Sequence, residues 1–222
     1  MTVDFQQLRV KMVDGQLRTT DVTDVTILSA MLAVPREDFV PEQRRALAYI
    51  DEDIEVSGGN GETRYLMEPS PFARLVQLAK IRPGERVLDI GCNTGYSSAI
   101  LSHLAADVIG LESDAALAAR ARDTLAAHGH ANVTIVEGAL AVGHAAGAPY
   151  DVVVINGAVD EVPAALFEQL ADGGRLVTVI GAGNAGRSVL CVKEDGLVST
   201  RHGFNAAVRP LAEFRRAPAF QF

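Results

Sequence analysis

The stretch that decides the fold is RVLDIGCNTGYSS, residues 86–98. The apolar residues of Val87–Ile90 predict a buried β-strand, and Gly91 and Gly95 bound a tight loop that opens a helix near Tyr96. A strand that passes through a glycine loop into a helix is the first unit of an open α/β sheet. Such sheets bind ligands at the carboxyl ends of their strands, so we expect a ligand next to this loop.

The same alternation continues downstream of the glycine loop. Short β-branched runs at 108–112, 133–137, 152–155 and 175–180 predict strands, and apolar spacing predicts helices at 96–104, at 115–128 and around Val162, Leu166 and Leu170. Strands that alternate with helices form a mostly parallel sheet covered on both faces. Two further apolar runs, at 188–192 and 197–200, flank Glu194-Asp195-Gly196 and predict a final antiparallel hairpin.

The region upstream of the glycine loop has a different pattern. Phe5, Leu8 and Met12 recur at helical spacing, and a second apolar stripe follows Asp24, which is available as a helix cap. Ser57–Gly61 is a glycine-rich loop signal. We therefore divide the chain into an N-terminal helical extension and substrate-side segment, residues 1–80, and a ligand-binding α/β domain, residues 81–222.

Composition limits the classes of partner. The chain has 222 residues, of which 48% are apolar and 22% charged, as in an ordinary globular protein. Its 28 acidic residues exceed its 20 basic ones, which argues against nucleic-acid binding. No apolar run approaches the roughly 20 residues that span a bilayer. Two distant cysteines and the absence of a signal-like start predict a cytoplasmic protein that binds no membrane and, given its histidine spacing, no metal.

Two acidic residues beside the glycine loop suggest which ligand binds there. Asp89 precedes Gly91 by two residues, and Glu112 ends the second strand, where a carboxylate can accept hydrogen bonds from ribose hydroxyls. The glycine spacing, with Asn93 between the glycines, differs from the dinucleotide pattern G-x-G-x-x-G. These features favour S-adenosylmethionine over NAD, and an ordinary strand-to-helix turn without a ligand is the alternative.

At this point the chain resembles the protein-L-isoaspartate O-methyltransferases over nearly its whole length. The matching stretches are residues 33–41, 47–51, 82–91 with 94–96, 148–151, 161–163, 170 and 173–177. The resemblance implies a Rossmann-like class I methyltransferase fold, with a mostly parallel seven-stranded sheet, helices on both faces and an N-terminal helical extension. It also implies an S-adenosylmethionine-dependent enzyme of protein repair that esterifies isoaspartyl residues of damaged proteins or peptides.

The resemblance extends to a set of cofactor-binding residues. These are Asp89, Gly91, Asn93, Gly95, Glu112, Gly138, Ala139, Leu140 and Asn156. The family's Gly-Asp-Gly after the third strand reads Gly138-Ala139-Leu140 here, so the carboxylate that would contact the adenine amine is missing. The small residues that the family carries after the fourth strand are replaced by the stretch that begins with Asn156.

A second departure falls on the methyl-acceptor side. The family's Thr-Ile-Ser-x-Pro aligns without a gap on Tyr65–Pro69, which places Met67 at the serine position. A thioether cannot donate the hydrogen bond that a serine hydroxyl gives to a carboxylate. Ser70 and Tyr65 are the candidate donors, and Arg64 could pair with a substrate carboxylate. The alternatives are that Ser70 caps a helix, Arg64 is a solvated loop charge, and Met67 packs under the N-terminal helices.

Three functions therefore remain open from the sequence. The first is isoaspartyl methylation, the second is methylation of another acceptor such as a small molecule, and the third is a cofactor-binding protein without turnover. The glycine-rich loop also permits residues 57–72 to close over the substrate. Cys92 lies near a helix start, which could lower its pKa, but we predict a packing role.

Overall fold

The structure is a computed structural model that describes residues 3–57 and 63–216. Its α-helices in the described residues are α1 (Phe5–Met12), α2 (Val25–Ala33), α3 (Pro69–Ala79), α4 (Tyr96–Ser102), α5 (Ala115–Ala127) and α6 (Ala164–Glu168), and short 3-10 and π-helical turns join several of the elements. Its strands are β1 (Ile54–Glu55), β2 (Tyr65–Leu66), β3 (Arg86–Ile90), β4 (Asp107–Glu112), β5 (Val133–Glu137), β6 (Tyr150–Val159), β7 (Leu170–Ile180), β8 (Arg187–Glu194) and β9 (Leu197–Asn205). Residues 58–62, which include most of the predicted glycine-rich loop, lie outside the described residues.

Seven of these strands form one sheet in the order β5-β4-β3-β6-β7-β8-β9. The pairs from β5 to β7 are parallel and those from β7 to β9 antiparallel, as the alternation and the hairpin signal predict. The turn between β8 and β9 uses Asp195 and Gly196, both with positive φ, which suits the twist of a two-residue hairpin. The chain runs outward from β3 to β5 and then returns to place β6 on the other side of β3. This reversal is the topological switch at which open sheets bind ligands.

The N-terminal helices pack on the same core as the sheet. Asp24 caps α2 by accepting from the amides of Thr26 and Ile27, as expected. Buried residues of the N-terminal region, such as Leu17, join one hydrophobic cluster with Val87 of β3. The predicted division at residue 80 falls between α3 and β3, and it separates stretches of sequence that are packed together. It remains a prediction.

One predicted helix is shorter than its apolar stripe. The spacing of Val162, Leu166 and Leu170 predicts helix through Leu170, but α6 ends at Glu168 and Leu170 already pairs with Tyr150 in the sheet. The third apolar residue therefore belongs to a strand, which helical periodicity alone cannot reveal. Among residues 3–57 and 63–216, no helix combines the length and apolar character that crossing a bilayer requires.

Candidate active site

The ends of β3, β4, β5 and β6 lie at one edge of the sheet and form what we call the floor of the cleft, residues 89–95, 112, 138–140, 156 and 157. Gly91, Asn93 and Gly95 all have positive φ, so the loop after β3 turns sharply into α4. At Gly95 an added Cβ would also lie 3.0 Å from Leu125, so this glycine is required for close packing of α5 as well as for the turn. The predicted loop geometry is present.

Glu112 has all of its hydrogen-bonding capacity filled by the protein. One carboxylate oxygen accepts from the amides of Ser113 and Asp114 at 2.9 and 3.0 Å. The other accepts from the amide of Asn93 at 2.8 Å and from Nη2 of Arg64 at 2.9 Å. Glu112 is fully buried, and burial raises its pKa while Arg64 opposes that rise. A carboxylate with about four lone pairs has no acceptor left for a ribose hydroxyl in this arrangement.

Asp89 is likewise fully buried and bonded within the fold. Its Oδ2 accepts from the hydroxyls of Ser97 at 2.7 Å and Ser98 at 2.6 Å, and its Oδ1 accepts from the side-chain amide of Asn156. Burial raises its pKa to about 6, and the three donors oppose that rise. Asp89 thus ties the start of α4 to the end of β6. Direct contact between Asp89 and a cofactor remains a prediction.

The third loop of the floor follows β5. The amide of Gly138 donates to the carbonyl of Glu112 at 3.1 Å, Ala139 is exposed, and the Leu140 side chain is buried. The amide of Leu140 donates to Oε2 of Glu213 at 2.8 Å. A carboxylate from the far end of the chain therefore reaches the loop where the family's own carboxylate is absent.

Glu213 belongs to what we call the C-terminal segment, residues 206–214, which turns back from β9 towards β6. The amide of Ala158 donates to the carbonyl of Arg209, and the amide of Leu211 donates to the carbonyl of Ala158, both at 2.9 Å. The Leu211 side chain is buried against the floor, where it lies 2.5 Å from the Cβ position of Gly157. Leu211 and Glu213 carry no local sequence signal, because only the return of the chain brings them to the site.

Arg64 is the other residue that covers the floor. Its side chain is only 8% exposed, so the interpretation as a solvated loop charge is wrong. Beyond Glu112 it contacts Oδ1 of Asn93 at 3.3 Å, the hydroxyl of Ser113 at 3.4 Å and Glu213 at 3.9 Å. We call Arg64 and the C-terminal segment together the cover of the cleft.

Tyr65 and Ser70, the predicted hydrogen-bond donors to the methyl acceptor, direct their side chains to other partners. The backbone carbonyl of Tyr65 accepts from the side-chain amide of Asn93 at 3.2 Å, while the Tyr65 ring packs against the Arg209 guanidinium. The Ser70 hydroxyl donates to Oγ1 of Thr20, a residue of the N-terminal region, at 2.8 Å. Ser70 is also not the helix cap, because Glu68 takes that position in α3.

Met67 packs in the hydrophobic core, which agrees with the second of the two interpretations of its position. Its side chain is 4% exposed within the cluster that includes the N-terminal helices, and its carbonyl accepts from the buried Arg36 at 2.8 Å. The structure supports Met67 as a core residue rather than one that faces a methyl donor. The packing role predicted for Cys92 is also confirmed, since the thiol is fully buried and burial raises its pKa.

The chemistry of the floor suits a nucleoside cofactor, while the space above it is filled by the cover. Glu112 is an acceptor at a strand end, and the positive φ of Gly91 lets the backbone approach a ligand closely. At the Cβ position of Gly91, however, Leu211 lies 3.4 Å away and Nη2 of Arg64 3.5 Å away. A nucleoside therefore fits these residues once the two side chains withdraw.

Comparison with known proteins agrees with this geometry. The sequence pattern of the family Protein-L-isoaspartate(D-aspartate) O-methyltransferase matches residues 8–213. Protein-L-isoaspartate O-methyltransferase 2 of Anaeromyxobacter sp. is 43% identical over 169 residues, which are 76% of this chain and 68% of that protein. A solved protein-L-isoaspartate O-methyltransferase superposes with a TM-score of 0.79 at 27% identity, covering 92% of this chain and 66% of that one. A second solved structure, from Plasmodium falciparum and in complex with S-adenosyl-L-homocysteine, superposes with a TM-score of 0.78 at 19% identity. The superposition covers 96% of this chain and 100% of that one, and at this identity it supports the fold alone.

Proposed function

The chain belongs to the protein-L-isoaspartate O-methyltransferase family, and on that premise we propose that it methylates the side-chain carboxylate of isoaspartyl residues in proteins. It is an S-adenosylmethionine-dependent methyltransferase of the class I fold. The observation that carries the proposal is the family match over residues 8–213, which includes both the N-terminal region and the floor of the cleft.

The floor contributes residues that would hold the nucleoside. Glu112 would accept the ribose hydroxyls in place of Arg64, and Gly91 would allow close approach of the ligand. Asp89 would act by holding Asn156 and the first turn of α4 in place. The bound cofactor supplies an electrophilic methyl group, so the protein's main task is to position the acceptor in line with it.

Arg64 is our candidate for holding the acceptor carboxylate. A carboxylate nucleophile needs no strong base, but it needs donors that tolerate its change of charge. Met67 offers no donor, and the Ser70 hydroxyl is engaged by Thr20. The guanidinium of Arg64 carries five N–H donors and lies in the cleft, so its release from Glu112 would free a cation for the substrate.

The state of the two cysteines supports a cytoplasmic location. Both are unpaired and buried, which is typical of proteins in a reducing compartment. We therefore propose that the protein acts in the cytoplasm on damaged proteins. The acidic net charge of −8 supports proteins or peptides over nucleic acids as partners.

Methyl transfer from S-adenosylmethionine labelled in its methyl group tests the proposal. The acceptors are a peptide with one isoaspartyl residue and the same peptide with aspartyl. We expect base-labile label in the isoaspartyl peptide only, and its loss in Glu112→Ala, which should weaken cofactor binding by about 1–3 kcal/mol. Equal labelling of both peptides, or none with the cofactor bound, would overturn the isoaspartyl assignment.

A groove beside the cleft favours a second candidate function, methylation of a different acceptor. The groove has a volume of 380 Å³ and is lined by Glu52, Asp53, Glu68 and Arg209, among others. Burial raises the pKa of Glu68 to about 7, and the negative field of Asp53, Asp51 and Glu52 adds to that rise. Such a field disfavours a carboxylate and suits a cationic small molecule. Labelling of amines but not of isoaspartyl peptide would support this candidate.

A further inference from the structure

The cover meets the floor at the polar groups that a nucleoside would use. Glu112 is the acceptor expected for ribose, and Arg64 fills its last site at 2.9 Å. The Leu140 amide lies in the loop expected to border adenine, and Glu213 fills it at 2.8 Å. The Arg64 cation thus occupies the carboxylate expected to bind ribose, and the Glu213 anion occupies the backbone amide expected to lie beside adenine.

The apolar contact between cover and floor is equally close. Leu211 is 6% exposed and lies over Gly91 and Gly157, the two glycines whose missing side chains leave room on the floor. An added Cβ at Gly157 would lie 2.5 Å from Cγ of Leu211, so no space remains between them. A nucleoside and the Leu211 side chain cannot both occupy this position.

The C-terminal segment is attached in a way that permits local release. Four backbone hydrogen bonds join its nine residues to the rest of the protein, two at Ala158 and one each at Gly186 and Asp160, and Phe214 is buried at its far end. It forms no strand with β6 beyond a single bridge between Ala158 and Pro210. Segments with few backbone hydrogen bonds open at lower free energy than the strands beneath them.

We propose that the cover is a built-in competitor of the cofactor, so that binding of the nucleoside and withdrawal of Arg64, Leu211 and Glu213 are one event. This inference rests on the proposed function, because it takes the cofactor from it. The apparent affinity for the cofactor is then the intrinsic affinity multiplied by the fraction of molecules in which the cover is withdrawn. Weakening the cover must therefore tighten binding, which is the opposite of what loss of a binding residue does.

Calorimetry with S-adenosylhomocysteine on the full chain tests this. We expect the double variant Leu211→Ala, Glu213→Ala to lower the dissociation constant by about tenfold. The matched control is Arg215→Ala, an exposed residue next to the segment, which should leave the constant unchanged. Thermal unfolding confirms that each variant folds.

Hydrogen exchange of the native protein gives an independent readout. The Leu211 amide is bonded to Ala158 in the closed state, and its exchange should rise on saturation with S-adenosylhomocysteine if the cover withdraws. Equal affinity of native and double variant, with unchanged exchange, would overturn the competition but leave the proposed function intact. Absence of nucleoside binding in every variant would overturn both.

Discussion

On the floor of the cleft, Asp89 and Glu112 are held by backbone amides and hydroxyls from Asn93 to Asp114, which are 21 positions apart along the chain, and by the side-chain amide of Asn156. In the cover, by contrast, Glu213 reaches across 73 residues to Leu140, and Arg64 across 48 to Glu112. The floor lies at the ends of the sheet strands, whereas the cover is attached through the side chains of Arg64 and Glu213 and through a few backbone hydrogen bonds of the C-terminal segment. The difference teaches that the binding chemistry and the access to it are built by separate parts of the sequence.

The largest effect should come from breaking the floor at Asp89. In Asp89→Ala, the donors of Ser97, Ser98 and Asn156 stay buried without their acceptor. We expect a loss of about 3–5 kcal/mol in the free energy of unfolding. Urea unfolding measures it, with Asp123→Ala as the exposed control on α5. A loss below about 1 kcal/mol would show that these bonds do not stabilise the floor.

The link between floor and cover can be measured at the ion pair of Glu112 and Arg64. Glu112→Gln removes the nearest counter-ion of the buried Arg64 guanidinium, and Arg64→Gln removes the counter-ion of the buried Glu112 carboxylate. The single changes should each cost about 2–4 kcal/mol, and a double-mutant cycle should give a coupling of about 1–3 kcal/mol. Additive single costs would mean that floor and cover are energetically independent.

A smaller change tests the apolar contact. The Cβ of Gly157→Ala would overlap Leu211 and lie 3.2 Å from the carbonyl of Arg209. We expect a loss of about 1–3 kcal/mol in stability, together with faster exchange of the Leu211 amide, because the segment must move. Gly84→Ala is the control, since nothing lies within 4 Å of its Cβ position. If the Leu211 amide exchanges as in the native chain, the contact is looser than the structure indicates.

The smallest effect concerns the acidic groove beside the cover. Glu68 is half-buried, and its pKa is raised from 4.5 to about 7. The folded state therefore holds the Glu68 proton more tightly than the unfolded state does. The stability that this proton contributes is fully present below about pH 4.5 and is lost as the pH rises to about 7. Glu68→Gln should stabilise the protein at pH 8 by less than about 1 kcal/mol, after allowing for solvent screening, and should do little at pH 4. The melting temperature of Glu68→Gln is measured at both pH values, with the exposed Glu194→Gln as the control. Equal shifts in melting temperature at pH 4 and pH 8 would contradict the prediction.

The sequence predicts the floor well because its signals are local. The run from Val87 to Gly95 predicts strand, loop and helix within one stretch, and Glu112 follows one strand–helix unit later. The burial of Met67 was only one of two alternatives, because spacing places a residue on the chain but not the direction of its side chain. Ser70 shows the same limit, since its partner Thr20 is 50 residues away.

The cover could not be predicted, for a related physical reason. Leu211 and Glu213 follow a hairpin at the edge of the sheet and carry no periodicity or turn signal that points to the centre. Arg64 is an arginine in a polar stretch, where solvation is the ordinary expectation. Only the return of the chain to Ala158 and the proximity of Glu112 determine these placements.

That return also sets an order of assembly. The bridge between Ala158 and Pro210 can form only after β6 has joined the sheet and the β8–β9 hairpin has brought the chain back to it. A contact that depends on earlier contacts forms after them, because closing its loop costs entropy before the contact compensates it. We expect each newly folded molecule to pass through a stage at which the sheet is complete and the last segment has not docked. Newly made chains would then meet the cellular nucleoside pool with an open cleft, before the mature protein begins to exclude it.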